Sequence, residues 1–195
     1  MNLARRHMTF SRRGAKRVRA DLRPVAEVVS ERVWKAMIDA SRVLDDLGIR
    51  HALVGGLAVG AHGWPRATKD VDFLVDDSAW IKTEGGLVVM RAGLPVEAHG
   101  VAVDTLSIRD EEGHLRKALE ETEISEGVPV APLEALVYLK LVSPRSKDRL
   151  DLIQLVLAGT DVERVRTYLQ KNATDLLAKF EEIVRTAEEE EEEDR

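Results

Sequence analysis

Leu53-Val-Gly-Gly-Leu-Ala-Val-Gly-Ala-His-Gly-Trp-Pro-Arg-Ala-Thr-Lys-Asp-Val-Asp-Phe-Leu-Val75 is the stretch that decides the fold. Residues 51–54 read as a short buried strand running into Gly55-Gly56, and residues 57–61 as a short helix that stops near Gly63 and Pro65. Residues 71–75 are a β-branched and aromatic run with carboxylates at both ends, which suits a strand entering at Asp70 and leaving at Asp76-Asp77. Side chains alternate across a strand, so Asp70 and Asp72 project to one side with carboxylates close enough to share a cation. Adjacent carboxylates repel each other, and a hard, oxygen-seeking ion such as Mg²⁺ or Mn²⁺ relieves that conflict. In Gly55-Gly56 the absence of Cβ atoms lets backbone N–H groups approach a phosphate, and the following helix N-terminus favours negative charge. Each feature has a plainer alternative. A glycine pair can simply end a strand, and two aspartates can guard an exposed sheet edge, although Phe73, Leu74 and Val75 favour a central strand.

Before this stretch, Val25, Val28, Val29, Val33, Met37, Val43, Leu44 and Leu47 recur at helical spacing, which predicts one amphipathic helix from Pro24 to a stop at Gly48. After it, residues 86–90 and 101–108 are further strand candidates, joined by a Gly/Pro-containing link at 93–95. Asp104 is a lone acid within the second run, and a third carboxylate on a neighbouring strand would complete a two-metal clamp for in-line phosphoryl transfer. From Pro132 the pattern turns helical over 133–141, 147–157, 162–169 and 176–185, punctuated by Pro144, Gly159 and Asn172. Strands first and helices afterwards predict an α+β fold: a mixed sheet flanked by helices, with a helical C-terminal third.

The 195 residues suit one core with a helical appendage. With 44% apolar and only 4% aromatic residues, the interior is aliphatic. No cysteine is present, which excludes disulfides, thiolate metal sites and cysteine nucleophiles and fits a reducing compartment, so the cytoplasm is expected. No apolar run approaches the roughly 18 residues of a membrane span, and no signal-peptide stretch opens the chain. The net charge of -6 hides a basic start (Arg5, Arg6, Arg12, Arg13, Lys16, Arg17, Arg19, Arg23) and an acidic end. Residues 1–23 are expected to form a disordered basic arm, with RNA phosphates as the alternative partner, and 188–195 a solvated, self-repelling tail. Between them lie an α/β core over 24–131 and a helical part over 132–187 packed on it.

Gly55-Gly56, Asp70-Val71-Asp72 and Asp104 together resemble the signature of the nucleotidyltransferase superfamily with the polymerase-beta-like fold, and within it the AbiEii-like nucleotidyltransferases of toxin-antitoxin systems. Ala61-His62-Gly63 and Arg66-Ala67-Thr68-Lys69 resemble the family's link between glycine pair and acid pair. Lys140, Arg145, Asp148 and Asp151 resemble its helical cluster. The resemblance covers about 49–157. It implies Mg²⁺-dependent transfer of a nucleoside monophosphate from an NTP to a hydroxyl of an RNA such as tRNA, a protein or a small molecule. It further implies a cognate toxin or antitoxin partner. Asp70 and Asp72 would bind both metal ions, and Asp104 would bind the catalytic ion and help to deprotonate the attacking hydroxyl. Gly55, Gly56, Arg66, Lys69 and Lys140 would hold the nucleotide, with Lys140 on the triphosphate. Two departures stand out: the pair is Gly-Gly where many members have Gly-Ser, and 77–86 is short for the helix usual there. The second leaves the pocket wall open; the missing serine, with no recognisable separate acceptor-binding domain, leaves open a protein of the same fold that binds nucleotide or a partner without turnover.

Overall fold

The computed structural model describes residues 19–193 of the chain. Helices α1 (Arg23–Ala26) and α2 (Glu31–Asp46) precede strand β1 (His51–Leu53) and helix α3 (Gly55–Ala61). Strand β2 (Val71–Val75) is followed by a 3-10 turn and the short strands β3 (Trp80–Lys82), β4 (Val88–Met90) and β5 (Glu97–Ala98). Strand β6 (Val101–Ser107), helix α4 (Gly113–Glu120) and strands β7 (Glu123–Ser125) and β8 (Val128–Val130) complete the sheet region. Helices α5 (Leu133–Val142), α6 (Ser146–Leu157), α7 (Val162–Asn172) and α8 (Leu177–Glu193) form the C-terminal third.

The result is the expected mixed sheet flanked by helices, in the order β5-β6-β2-β1-β8-β7. β1 runs antiparallel to β2, so its C-terminal end, where the chain turns through Gly55-Gly56, meets the beginning of β2 at Asp72; the Val54 N–H donates to the Asp72 carbonyl at 2.9 Å. β6 runs parallel to β2 and sets Asp104 directly opposite Asp72. α2 covers one face: Ser41 on it hydrogen-bonds His51 at 2.8 Å, and the His51 ring meets Phe73 edge-on. Phe73 therefore faces α2, and by strand alternation Asp72 and its register partner Asp104 project to the opposite side.

Several expectations are corrected. The single helix predicted from Pro24 is two, because the Ser30 hydroxyl accepts from the Val33 N–H and starts α2 afresh, leaving Val28 exposed. Of the basic arm, residues 1–18 lie outside the described residues, whereas 19–23 pack on the core: Leu22 is fully buried, and the Ala20 N–H donates to the Glu123 carboxylate. Glu188 to Glu193 continue α8, since a helix already nucleated by the buried Phe180, Ile183, Val184 and Ala187 extends readily through good helix formers. The candidate strand near 86–90 joins β3 in a separate hairpin and not the main sheet. α4 and the β7–β8 hairpin had no counterpart in the sequence reading. The second has a signal in Glu126-Gly127, both at positive φ as a two-residue hairpin turn requires. No helix among the described residues is long and apolar enough to cross a membrane.

Candidate metal and phosphate site

The topology brings three carboxylates to one place. Asp72 and Asp104 are register partners on β2 and β6, while Asp70 lies one residue ahead of β2 in irregular chain. The Asp72 carboxyl is pushed up to about 6 by burial and then by the negative charges of Asp70 and Asp104, against a smaller opposite pull from Arg145 and Lys140. As arranged, no group of three or more His, Cys, Asp or Glu side chains among the described residues is placed to hold a metal ion. What the three aspartates offer is donor type alone: carboxylate oxygens are the hard donors that ions such as Mg²⁺ or Mn²⁺ take. Thr68, to which the sequence reading gave no role of its own, ties down the one carboxylate outside a strand: its hydroxyl donates to Asp70 Oδ1 at 2.7 Å.

Gly55 has a left-handed backbone (φ +64°), and a Cβ built there would lie 1.8 Å from Asp72 Oδ2 and 2.9 Å from Asp72 Cβ. Rotating the carboxylate does not relieve the second contact, so the turn and the acid can be this close only without a side chain at 55. Gly56 is similarly crowded, its Cβ position lying 3.0 Å from Thr68 Oγ1 and 3.3 Å from Arg66 Nη2. Gly48 provides an internal control, with φ +67° and open space around its Cβ position. Gly48→Ala is expected to lower unfolding stability by about 1–2 kcal/mol from backbone strain alone. Gly55→Ala should exceed that loss and also abolish Mn²⁺ binding by displacing Asp72. Urea unfolding and Mn²⁺ titration of both variants check this, and equal behaviour would show that Gly55 is only a turn residue.

Behind the carboxylates lies a buried ionic cluster. Lys140 on α5, only 5% exposed, donates to Asp148 at 2.7 Å and to Asp151 at 2.6 Å, both on α6. Arg66 grips Asp151 with two hydrogen bonds at 2.6 and 2.8 Å, and Arg145 Nε meets Asp148 at 2.7 Å. Burial pushes the Asp148 carboxyl up, but hydrogen bonds from Lys140 and Ser143 outweigh it and hold the group at about 2. Burial likewise opposes ionisation of Asp151, and Arg66 and Lys140 overcome it. Three cations against two carboxylates leave one surplus positive charge beside the Asp70, Asp72 and Asp104 set.

Gly55, Gly56, Asp70, Asp72, Asp104, Arg66, Lys140, Arg145, Asp148 and Asp151 thus belong to one neighbourhood, while Lys69 is exposed with no ion pair among the described residues. Lys140 is a buried bridge between α5 and α6, and Arg145 is the cluster's more exposed cation. A cavity of about 460 Å³ opens beside Asp72 and Asp104 and is also lined by Arg145, Thr105, Met90, Val96, Val103 and Leu106. Its apolar wall was not foreseen, because it depends on how the 80–98 segment folds back along β6.

No family model matches the sequence, and no curated protein matches it. Among solved structures, the chain is similar to an antigenic nucleotidyltransferase-like protein from Paracoccidioides brasiliensis, with a TM-score of 0.42 and 17% identity over 79% of this chain and 94% of that one. A likeness that loose leaves the site to be judged on its own geometry.

Proposed function

We propose that the protein is a divalent-metal-dependent nucleotidyltransferase that moves a nucleoside monophosphate from an NTP to a hydroxyl and releases pyrophosphate. One observation carries the reading: Asp72, in register with Asp104 and close to Asp70, presses directly against the Gly55-Gly56 turn, so metal-seeking and phosphate-seeking groups share one end of the sheet. Asp70 and Asp72 would hold Mg²⁺ or Mn²⁺, which when bound offsets charge on the reacting phosphate. Asp104 faces the cavity, where it can hold metal and accept a proton from the attacking hydroxyl. The backbone amides of the glycine turn and the surplus positive charge of the Arg66, Lys140 and Arg145 cluster would receive the triphosphate. The resemblance in sequence supports a setting within a toxin-antitoxin pair, with a cognate partner, in the cytoplasm.

The test is incubation of the purified protein with Mg²⁺, each of four α-labelled NTPs in turn, and cellular RNA or whole lysate. Label should reach an acceptor with the wild type and fall to background with Asp70→Ala/Asp72→Ala. Transfer that survives in that double variant sinks the reading. Binding without turnover is the second reading, favoured by the lack of a hydroxyl at Gly56 and by the engagement of Lys140 with two aspartates. Its signature is Mg²⁺-NTP binding with no label transferred.

A further inference from the structure

The site is divided along the sheet order β6-β2-β1. The phosphate-seeking groups, Gly55-Gly56 and the Arg66 and Lys140 cluster, lie on the β1 side of Asp72. On the β6 side, next to Asp104, the cavity wall is apolar, with Met90 43% and Val96 63% exposed. The apolar surface does not stop at the cavity. Along the β3–β4 hairpin Val88 shares Met90's face by strand alternation, Ile81 and its register partner Val89 lie on the opposite face, and Leu87 stands at the turn end; all are exposed, with Leu87 at 69% and Val88 at 64%. Apolar side chains exposed on both faces of a separate hairpin that borders a cavity mark a macromolecular contact more than a small-molecule one. β3 and β4 pair only with each other among the described residues, so each keeps a free edge that could accept an added strand.

The chemistry of this surface selects the class of macromolecule. Residues 80–98 carry Lys82 and Arg91 against Glu84 and Glu97 and so have no net charge. A polynucleotide is gripped through Lys and Arg on phosphates and through aromatic rings under bases. The hairpin's one aromatic residue, Trp80, is packed against the core and not displayed, and the cavity's lining includes a single basic group, Arg145. We propose that the acceptor is a protein, whose apolar residues dock on the β3–β4 hairpin and deliver a serine, threonine or tyrosine hydroxyl past Met90 and Val96 to Asp104. This rests on the transferase reading above and specifies its acceptor. The hydroxyl oxygen bonds to the α-phosphorus, the bond between that phosphorus and the α–β bridging oxygen breaks, pyrophosphate leaves with that electron pair, and the hydroxyl proton passes to Asp104 and then to water.

The experiment uses the full chain, lysate, Mg²⁺ and α-labelled NTP, with the products split between protease and ribonuclease treatment, alongside the surface variant Leu87→Asp/Val88→Asp. Mg²⁺-NTP binding is measured separately for both proteins by equilibrium dialysis. The expected result is label lost to protease and resistant to ribonuclease, falling at least tenfold in the variant while its Mg²⁺-NTP binding stays within twofold of wild type. Label lost to ribonuclease, or equal labelling by the variant, overturns the protein acceptor and leaves the transferase reading standing. Mg²⁺-NTP binding with no label in any fraction also overturns it, in favour of binding without turnover. No Mg²⁺-NTP binding by the wild type removes the transferase reading itself.

Discussion

Replacing Lys140 by methionine is expected to lower the unfolding free energy by about 3–5 kcal/mol, the loss typical when one partner of a buried charge network is removed. The methionine fills the space of the alkyl stem, so the loss isolates the ammonium. Asp148 would keep Arg145 and Ser143, and Asp151 would keep Arg66, but the two buried carboxylates would face each other without the cation that lies between them. The pH dependence identifies the mechanism. Both carboxyls are held below their ordinary value, so the stability they contribute is complete above the unfolded value of 3.8 and is lost as the pH falls towards the folded value, about 2 for Asp148. In Lys140→Met the acid limb of the stability curve should move up towards pH 4. Urea unfolding between pH 2.5 and 7 measures both effects. A variant as stable as wild type, with an unmoved acid limb, would mean that Lys140 is held for a ligand and not for the fold.

The sequence made some of this legible and not the rest, for reasons that can be stated residue by residue. Asp70, Asp72 and Gly55-Gly56 lie within eighteen residues, and strand alternation with a glycine turn fixes their relation locally. Asp104 is different. Its place beside Asp72 depends on parallel pairing of strands about thirty residues apart, and nothing in the 101–108 run announces that register. The grip of Arg66 on Asp151 spans 85 positions and joins the glycine-turn region to α6, a tertiary fact with no local signal. Lys140 did carry a signal: α5 reads Leu-Glu-Ala-Leu-Val-Tyr-Leu-Lys-Leu-Val, and a lysine in so apolar a helix is buried unless it reaches water. Resemblance alone points that lysine at a triphosphate; the packing gives it two aspartates first. Residues 19–23 and 188–193 show the opposite case, because composition favours disorder there while Leu22 and the apolar face of α8 tie them to the folded chain.

Asp72→Asn is expected to stabilise the metal-free protein at neutral pH, by at most roughly 3 kcal/mol for a carboxyl displaced from 3.8 to about 6. Core polar substitutions usually destabilise, so the sign is the informative part. The folded protein takes up a proton on Asp72 more readily than the unfolded chain, hence wild-type stability rises as the pH falls from about 6 towards 4 and declines again as the pH rises through that window. At pH 7 the ionised carboxylate is partly buried beside Asp70 and Asp104 and works against folding. Asparagine has nearly the same shape without that charge, so the variant should be the more stable of the two at pH 7 and should lack the gain between pH 6 and 4. Added Mn²⁺ should then reverse the order, raising the melting temperature of wild type by neutralising the three carboxylates and leaving the variant nearly unmoved. A site that strains the fold until a cation enters is what a metal-dependent centre requires. If Asp72→Asn melts below wild type without metal, Asp72 serves the fold through its own contacts, and the aspartate set is structural.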